Sequence, residues 1–291
     1  MNQPTEASTY LISLARKNAQ VYAAMPGCRA IMVTGSAVEG VSDFYSDLDM
    51  ITYFDAIPSE EALAAAREAN GGENVRPLGP RTEAAYGEQY RVKGVECQVG
   101  YSTVPAWETE MASVLEGFEV ETPLQKALSG MLEAIPLHGE ALIRQWQERL
   151  RQYPDGLAEA MVRQNMAIFP LWGLQDSLDR RDAAMWMTQT LAESASHLLG
   201  IFAGLNRLYY SSFQFKRMHR FVDKMAIKPE HFADRLDSLV AGDLRRATAT
   251  LESLVGEAAA LVEQHMPQAD TAPLRRRLGW RQTPWEPTSE G

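Results

Sequence analysis

Cysteine is nearly missing from this 291-residue chain: only Cys28 and Cys97 occur, far apart in sequence. That excludes a CxxC redox pair, a cysteine-rich zinc site and a disulfide scaffold. Long apolar runs are missing too. No stretch of about 18 uninterrupted hydrophobic residues exists, so no transmembrane helix is expected. The opening residues MNQPTEASTY place no basic segment ahead of an apolar core, so no secretory signal is expected and the cytoplasm is the expected location. Basic charge is in deficit: 28 Lys and Arg stand against 38 Asp and Glu, for a formal charge of −10. That disfavours a sequence-independent grip on long nucleic acid, whose affinity comes from cations on phosphates. It leaves room for a local basic pocket. The histidines His138, His197, His219, His231 and His265 show no HxxxH spacing, and His197 on an apolar helix reads as a core residue.

What is present is an ordinary globular composition, 45% hydrophobic and 23% charged, enough to build a core. No internal repeat is visible. Up to about residue 118 the chain mixes short β-branched runs with helices; after about residue 122 it is helical throughout. Runs of strands followed by runs of helices predict an α+β protein in segregated parts. The expected division is a sheet-bearing domain over 1–118, a helical domain over 119–266, and a poorly structured tail over 267–291. In the first part, a helix is predicted from Thr5 to Met25, stopped by Pro26-Gly27. Strands follow at Arg29 to Thr34 and Asp47 to Phe54, with a turn and short helix between them. A helix from Ser59 to Asn70 comes next, and a hairpin turning at Lys93-Gly94 joins strands near Glu88 to Val92 and Val95 to Ser102. A helix around Val104 to Gly117 closes the unit. In the second part helices are predicted from about Leu157 to Gly173, from Ala183 to Asn206, and along a stripe from Val240 to Leu261. The tail's Arg275-Arg276-Arg277 run with Arg281 reads as a solvated charge cluster.

The chemistry-bearing stretch is Gly35-Ser36, ten residues, then Asp47-Leu48-Asp49. Asp47 and Asp49 stand two apart on a predicted strand, so both carboxylates project from one face. Like charges held that close are costly unless a cation lies between them. Hard oxygen ligands suit Mg²⁺, which prefers one or two carboxylates plus substrate phosphates. A Gly-Ser turn after the preceding strand fits the same ligand: glycine lets backbone approach a phosphate, and the hydroxyl and local N–H groups can bond its oxygens. The pattern predicts a nucleoside triphosphate held by its phosphates and a metal. It is not a P-loop, because Val41-Ser42 follows Gly40 where Lys-Ser/Thr is required.

The string VTGSAVEGVSDFYSDLDMITYF resembles the nucleotidyltransferase superfamily that contains DNA polymerase beta, the kanamycin and lincosamide nucleotidyltransferases, and the minimal nucleotidyltransferases of toxin–antitoxin pairs. A second resemblance runs through RQYPDGLAEAMV, SLDRRDAAMW and FAGLNRLYYSSFQFKRMHRFVDKM, which look like the helical domain of small-molecule nucleotidyltransferases of the aminoglycoside and lincosamide type. Together they span most of residues 29 to 260. The resemblance implies a nucleotidyltransferase-type mixed sheet followed by a helix bundle. It also implies a third carboxylate on a later strand, serving as metal ligand, general base or both. Glu96 in GVECQVGY is the best match; Glu88 and Glu108 are weaker ones. The resemblance further places Lys216 at a basic position after an Asn–Tyr segment, here Asn206, Tyr209 and Tyr210. Lys216, Arg220 and Lys224 are spaced i, i+4, i+8, as on one helix face.

The resulting expectation is a Mg²⁺-dependent enzyme, using one or two ions, that moves AMP from ATP, or another nucleoside monophosphate, to a hydroxyl of a small molecule. Asp47, Asp49 and Glu96 are the expected catalytic and metal residues. Gly35, Ser36, Lys216 and Tyr210 are the expected nucleotide contacts. An antibiotic of aminoglycoside or lincosamide type is a candidate acceptor. Transfer of this kind asks of the protein positioning, charge neutralisation and a proton acceptor rather than a covalent nucleophile. Two other readings suit the same motif: an enzyme that adenylylates a partner protein, as in toxin–antitoxin pairs, and a catalytically silent nucleotide-binding module. A template-dependent polymerase and a membrane partner are not expected.

Overall fold

A computed structural model of the protein describes residues 3–286. The chain divides into two compact units. The first comprises the described residues up to Gly117 together with Lys126–Gln152; the second comprises Phe118–Gln125 and the described residues from Tyr153 onward. The fold is α+β, as expected. Lys126–Gln152, read from the sequence as the start of the helical part, groups instead with the sheet.

In the first unit the elements are α1 (Glu6–Ala23), β1 (Cys28–Thr34), β2 (Leu48–Phe54), α2 (Glu60–Ala69), β3 (Glu73–Pro77), β4 (Ala85–Val92), β5 (Val95–Thr103), α3 (Val104–Leu115), α4 (Leu124–Glu133), β6 (Ile135–His138) and α5 (Glu140–Arg151). The first two residues of α4 fall in the other unit. Thr5 caps α1, its hydroxyl accepting from the Ser8 N–H, and Ser59 caps α2 in the same way. The β4–β5 hairpin turns on Lys93 and Gly94, both at positive φ, the geometry that matches the strands' twist. Among the described residues six strands form one sheet in the order β3-β4-β5-β2-β1-β6. Only β2 and β5 run parallel; the other neighbours are antiparallel.

The sheet's two faces differ. Ile31, Val33, Leu48, Met50, Val99 and Tyr101 turn to one face, where they pack with Leu11, Leu14 and Tyr22 of α1 and Leu63 of α2. A polar web runs through this core. Tyr22 and Tyr90 share a hydroxyl bond at 2.7 Å, Tyr101 donates to Glu88 at 2.8 Å, and Arg67 pairs with Glu88 at 2.5 Å. The other face carries an aromatic cluster of Tyr53, Trp107 and Trp146, with ring centroids 4.7 to 6.3 Å apart. Trp107 is therefore core.

The second unit holds α6 (Asp155–Gln164), α7 (Gln175–Leu178), α8 (Ala184–Leu205), α9 (Met218–Asp223), α10 (Phe232–Val240), α11 (Leu244–His265) and α12 (Ala272–Arg275). The long apolar helix α8 is its centre, packed by α6, α10 and α11. Gly200 and Gly204, one turn apart, let α6 lie close. A Cβ on Gly204 would stand 2.8 Å from Val162 Cγ2, and one on Gly200 would stand 2.3 Å from the Asn165 amide.

Two helix boundaries differ from the sequence reading. The helix expected to reach Gly173 stops at Gln164, ahead of Pro170. The stripe expected from Val240 splits, because Gly242 breaks it and Asp243 caps a new helix by accepting from the Arg246 N–H. The stretch expected to be a poorly structured tail is anchored through Arg281. Trp280 lies against Gly173, Trp172 donates to the Arg277 carbonyl, Arg281 forks onto Glu252 and Arg275 onto Glu263. Two members of the basic run are thus ion-paired.

Glu88 is almost fully buried and depends on Arg67 for its charge compensation. Arg67→Ala is expected to lower unfolding free energy by about 3 kcal/mol in urea melts, since it strands a buried carboxylate. The double replacement Arg67→Leu/Glu88→Leu is expected to cost less than the single one.

Candidate functional site

The first unit's candidate site lies where β1 ends and β2 begins. Thr34, the last residue of β1, pairs with Asp49 across the antiparallel ladder. The chain then enters a short 3-10 turn, Gly35–Ala37, with Gly35 at φ +73°. The Asp49 carboxylate leans over Gly35: a Cβ there would lie 2.2 Å from Asp49 Oδ2. Glycine is required twice over, for the left-handed backbone and for the room that the carboxylate occupies.

The loop between the Gly-Ser turn and the aspartates is tied to the start of α1. Thr5 Oγ1 donates to the Ser42 carbonyl at 2.7 Å, the Ser42 N–H donates to Ser8 Oγ at 2.9 Å, and Ser42 Oγ donates to Ser36 Oγ at 2.9 Å. Ser36 is thereby buried, its oxygen already engaged. Further along, Asp43 accepts from the Tyr45 N–H and Ser46 Oγ, which holds its carboxyl below the usual range. Phe44 and Tyr45 stand out into solvent between these anchors, 81% and 99% exposed.

Asp47 and Asp49 are both half-buried. Asp47 Oδ2 accepts from Gln98 Nε2 at 2.8 Å. The parallel register explains this contact: Leu48 pairs with Cys97 and Asp49 with Gln98, so Gln98 stands beside the aspartates on their own face. Glu96, two residues earlier on that face, pairs with Arg91 across the hairpin and meets Arg76 at 3.9 Å. The structure therefore does not gather Asp47, Asp49 and Glu96 into one metal centre. Among the described residues no group of three or more His, Cys, Asp or Glu side chains is arranged to hold an ion. The two aspartates with the Gly35 cradle do fit a magnesium that takes its remaining ligands from phosphate and water, since one or two carboxylates suffice for that ion.

The weaker acidic candidates serve the scaffold. Glu88 lies on the opposite face with Arg67 and Tyr101, and Glu108 accepts from the Trp146 indole N–H at 3.1 Å. Neither cysteine is a nucleophile, because burial pushes the Cys28 thiol up to about 11 and the Cys97 thiol up to about 12.

Lys216 and Tyr210 belong to the second unit. Lys216 is exposed on a 3-10 segment, Ser212–Arg217, that precedes α9. Lys216, Arg220 and Lys224 thus do not share one α-helix, and the i, i+4, i+8 spacing does not put them on one face. Asn206 clamps backbone, donating to the Phe202 and Ile227 carbonyls and accepting from the Ala226 and Ile227 N–H groups. Tyr209 packs on Tyr153. Tyr210 is buried on Phe221, shares a hydroxyl bond with Ser196 Oγ, and has its hydroxyl pushed up to about 12 by burial.

Tyr210 also lines a cavity of about 490 Å³ within the second unit. Its buried floor includes Met161 and Asn165, and its exposed rim includes Glu121 and Glu193. His197 stands in the wall, its Nδ1 at 3.2 Å from Asn165 Oδ1. Burial lowers the His197 pKa below 6.5, with Glu193 and Glu121 opposing that shift in part. Periodicity marks His197 as a helix-core residue and carries no sign of this cavity, which α8, α6 and the 118–125 segment build from separate parts of the chain.

No family model and no curated protein matches the sequence. Among solved structures the chain is similar to a nucleotidyltransferase-like protein from Exiguobacterium sibiricum 255-15, with a TM-score of 0.39 and 11% sequence identity. The match covers 89% of this chain and 80% of that one. No helix among the described residues is long and apolar enough to cross a membrane.

Gly35→Ala is expected to destabilise the first unit by about 2 kcal/mol in chemical unfolding, because alanine resists this backbone region and its methyl meets Asp49. The His197 imidazole is expected to titrate below 6.5 by NMR. It therefore contributes stability at neutral pH that falls as pH drops below that value, since the unfolded state takes up the proton first. His197→Gln is expected to flatten that part of the pH–stability curve.

Proposed function

We propose that the first unit binds a nucleoside triphosphate with magnesium and transfers its nucleotidyl group, AMP from ATP, to a hydroxyl of a small molecule. The observation that carries this reading is the Asp49 carboxylate seated on Gly35, with Asp47, the residue just ahead of β2, held by Gln98, the residue that pairs with Asp49. Asp47 accepts one hydrogen bond from the neutral Gln98 amide. A divalent cation arriving with a triphosphate takes carboxylate ligands of this kind, and would supply charge neutralisation on the phosphates during transfer.

In this reading Asp47 and Asp49 hold the ion, and Gln98 fixes the orientation of Asp47. The Gly35–Ala37 turn offers backbone that can approach the phosphates. The acceptor oxygen bonds to the α-phosphorus, the bond from that phosphorus to the bridging oxygen breaks, and pyrophosphate leaves with the electron pair. The acceptor's proton goes to a carboxylate at the same sheet end. Glu96 is assigned that task, with Arg76 as its resting partner, and it is not assigned as a metal ligand.

These roles separate in experiment. Asp49→Asn is expected to weaken magnesium-dependent binding of a fluorescent ATP analogue by about tenfold or more, equivalent to roughly 1.4 kcal/mol. Glu96→Gln is expected to leave that binding unchanged. In a pyrophosphate-release screen of hydroxylated small molecules, antibiotics included, it is expected to lower turnover. Wild-type affinity for magnesium–ATP in Asp49→Asn would overturn the proposal.

A further inference from the structure

Asp49 has a ladder neighbour on each side, Thr34 on β1 and Gln98 on β5, and both are neutral. Side chains of paired residues stand on one face of a sheet, so these two positions are where a further ligand beside Asp49 would come from. Thr34 is committed elsewhere. Its Oγ1 donates to the Gly130 carbonyl at 3.2 Å, and a Cβ on Gly130 would lie 2.9 Å from that oxygen. Gln98 turns a donor toward the aspartates, its Nε2 lying 2.8 Å from Asp47 Oδ2. A carboxylate accepts and does not donate, so the amide must present its NH2 end there, and that end meets a cation with positive partial charge. Glu96, the preceding residue on the same face of β5, is held off by Arg91 across the hairpin and by Arg76 at 3.9 Å.

The count of acidic ligands decides how many ions this sheet end can hold. One magnesium with a triphosphate is served by one or two carboxylates, its other ligands being phosphate oxygens and water. Two-ion centres keep their ions about 3.5–4 Å apart, and the second ion needs carboxylates beyond those serving the first. Asp47 and Asp49 complete the protein's share for one ion and leave none for another. We infer that Gln98 sets the ion count of this site at one, by placing a neutral amide where a second ion would need a carboxylate. This rests on the magnesium–triphosphate reading above and specifies it: the acceptor hydroxyl is activated by a protein base, without a second metal.

The full-length chain is tested with Mn²⁺ in place of magnesium and with α,β-methylene-ATP, whose bridging carbon blocks transfer. Bound ions are counted by equilibrium dialysis, and EPR distinguishes an isolated Mn²⁺ from a spin-coupled pair. The wild-type chain is expected to hold one isolated ion with the nucleotide. Gln98→Glu, nearly the same shape, is expected to double the count and give the coupled signal, whereas Gln98→Ala keeps one. Should Gln98→Glu fail to fold, Gln98→Asp makes the same comparison, and the wild-type count is a test by itself. A coupled pair in the wild type or in Gln98→Ala, or a single ion in a nucleotide-bound Gln98→Glu, overturns this inference alone. A wild-type chain that takes up no manganese with the nucleotide overturns the reading beneath it as well.

Discussion

The pairing of Thr34 with Asp49 across the β1–β2 ladder sets the geometry of the first unit's sheet end. It brings a carboxylate over the first residue after β1, and that residue must then lack a side chain. Gly35 meets the demand and turns the backbone into the left-handed region at the same step. The parallel β2–β5 register adds Gln98 alongside and leaves Glu96 farther out against Arg76. One ladder and one register thus decide which side chains share the site.

Much of this was legible in the residues themselves. Strand alternation puts Asp47 and Asp49 on one face, the Gly-Ser step follows an apolar strand, and Lys93-Gly94 marks a hairpin. Alternation alone does not choose between Glu96 and Gln98, which share a face of β5; only the register against β2 does. The edge strands β3 and β6 were not legible. The first is wholly exposed and the second spans four half-buried residues, so neither carries a period-two pattern, and each includes a proline that an edge tolerates. The basic spacing from Lys216 to Lys224 misled because it presumed one α-helix where the chain changes from 3-10 to α geometry.

In the second unit small residues do the organising. Gly200 and Gly204 draw α6 onto α8, and the space left at Gly200 is filled by the Asn165 amide rather than by an apolar side chain. A polar group at that depth must be satisfied, and it finds Met161 and His197. One missing methyl on α8 is thus what seats a polar amide beside the cavity. No hydrophobic pattern announces such a feature, because glycine reads as neutral in it.

The web from Thr5 and Ser8 through Ser42 to Ser36 has a consequence for how the molecule is handled. The residue that caps the first helix also moors the segment leading to Asp47, so the first turn of α1 and the aspartate loop are mechanically one piece. Trimming or crowding that first turn, as an affinity tag placed directly against it would, loosens a loop some forty positions downstream. A spacer before Thr5 keeps the two ends of the web together.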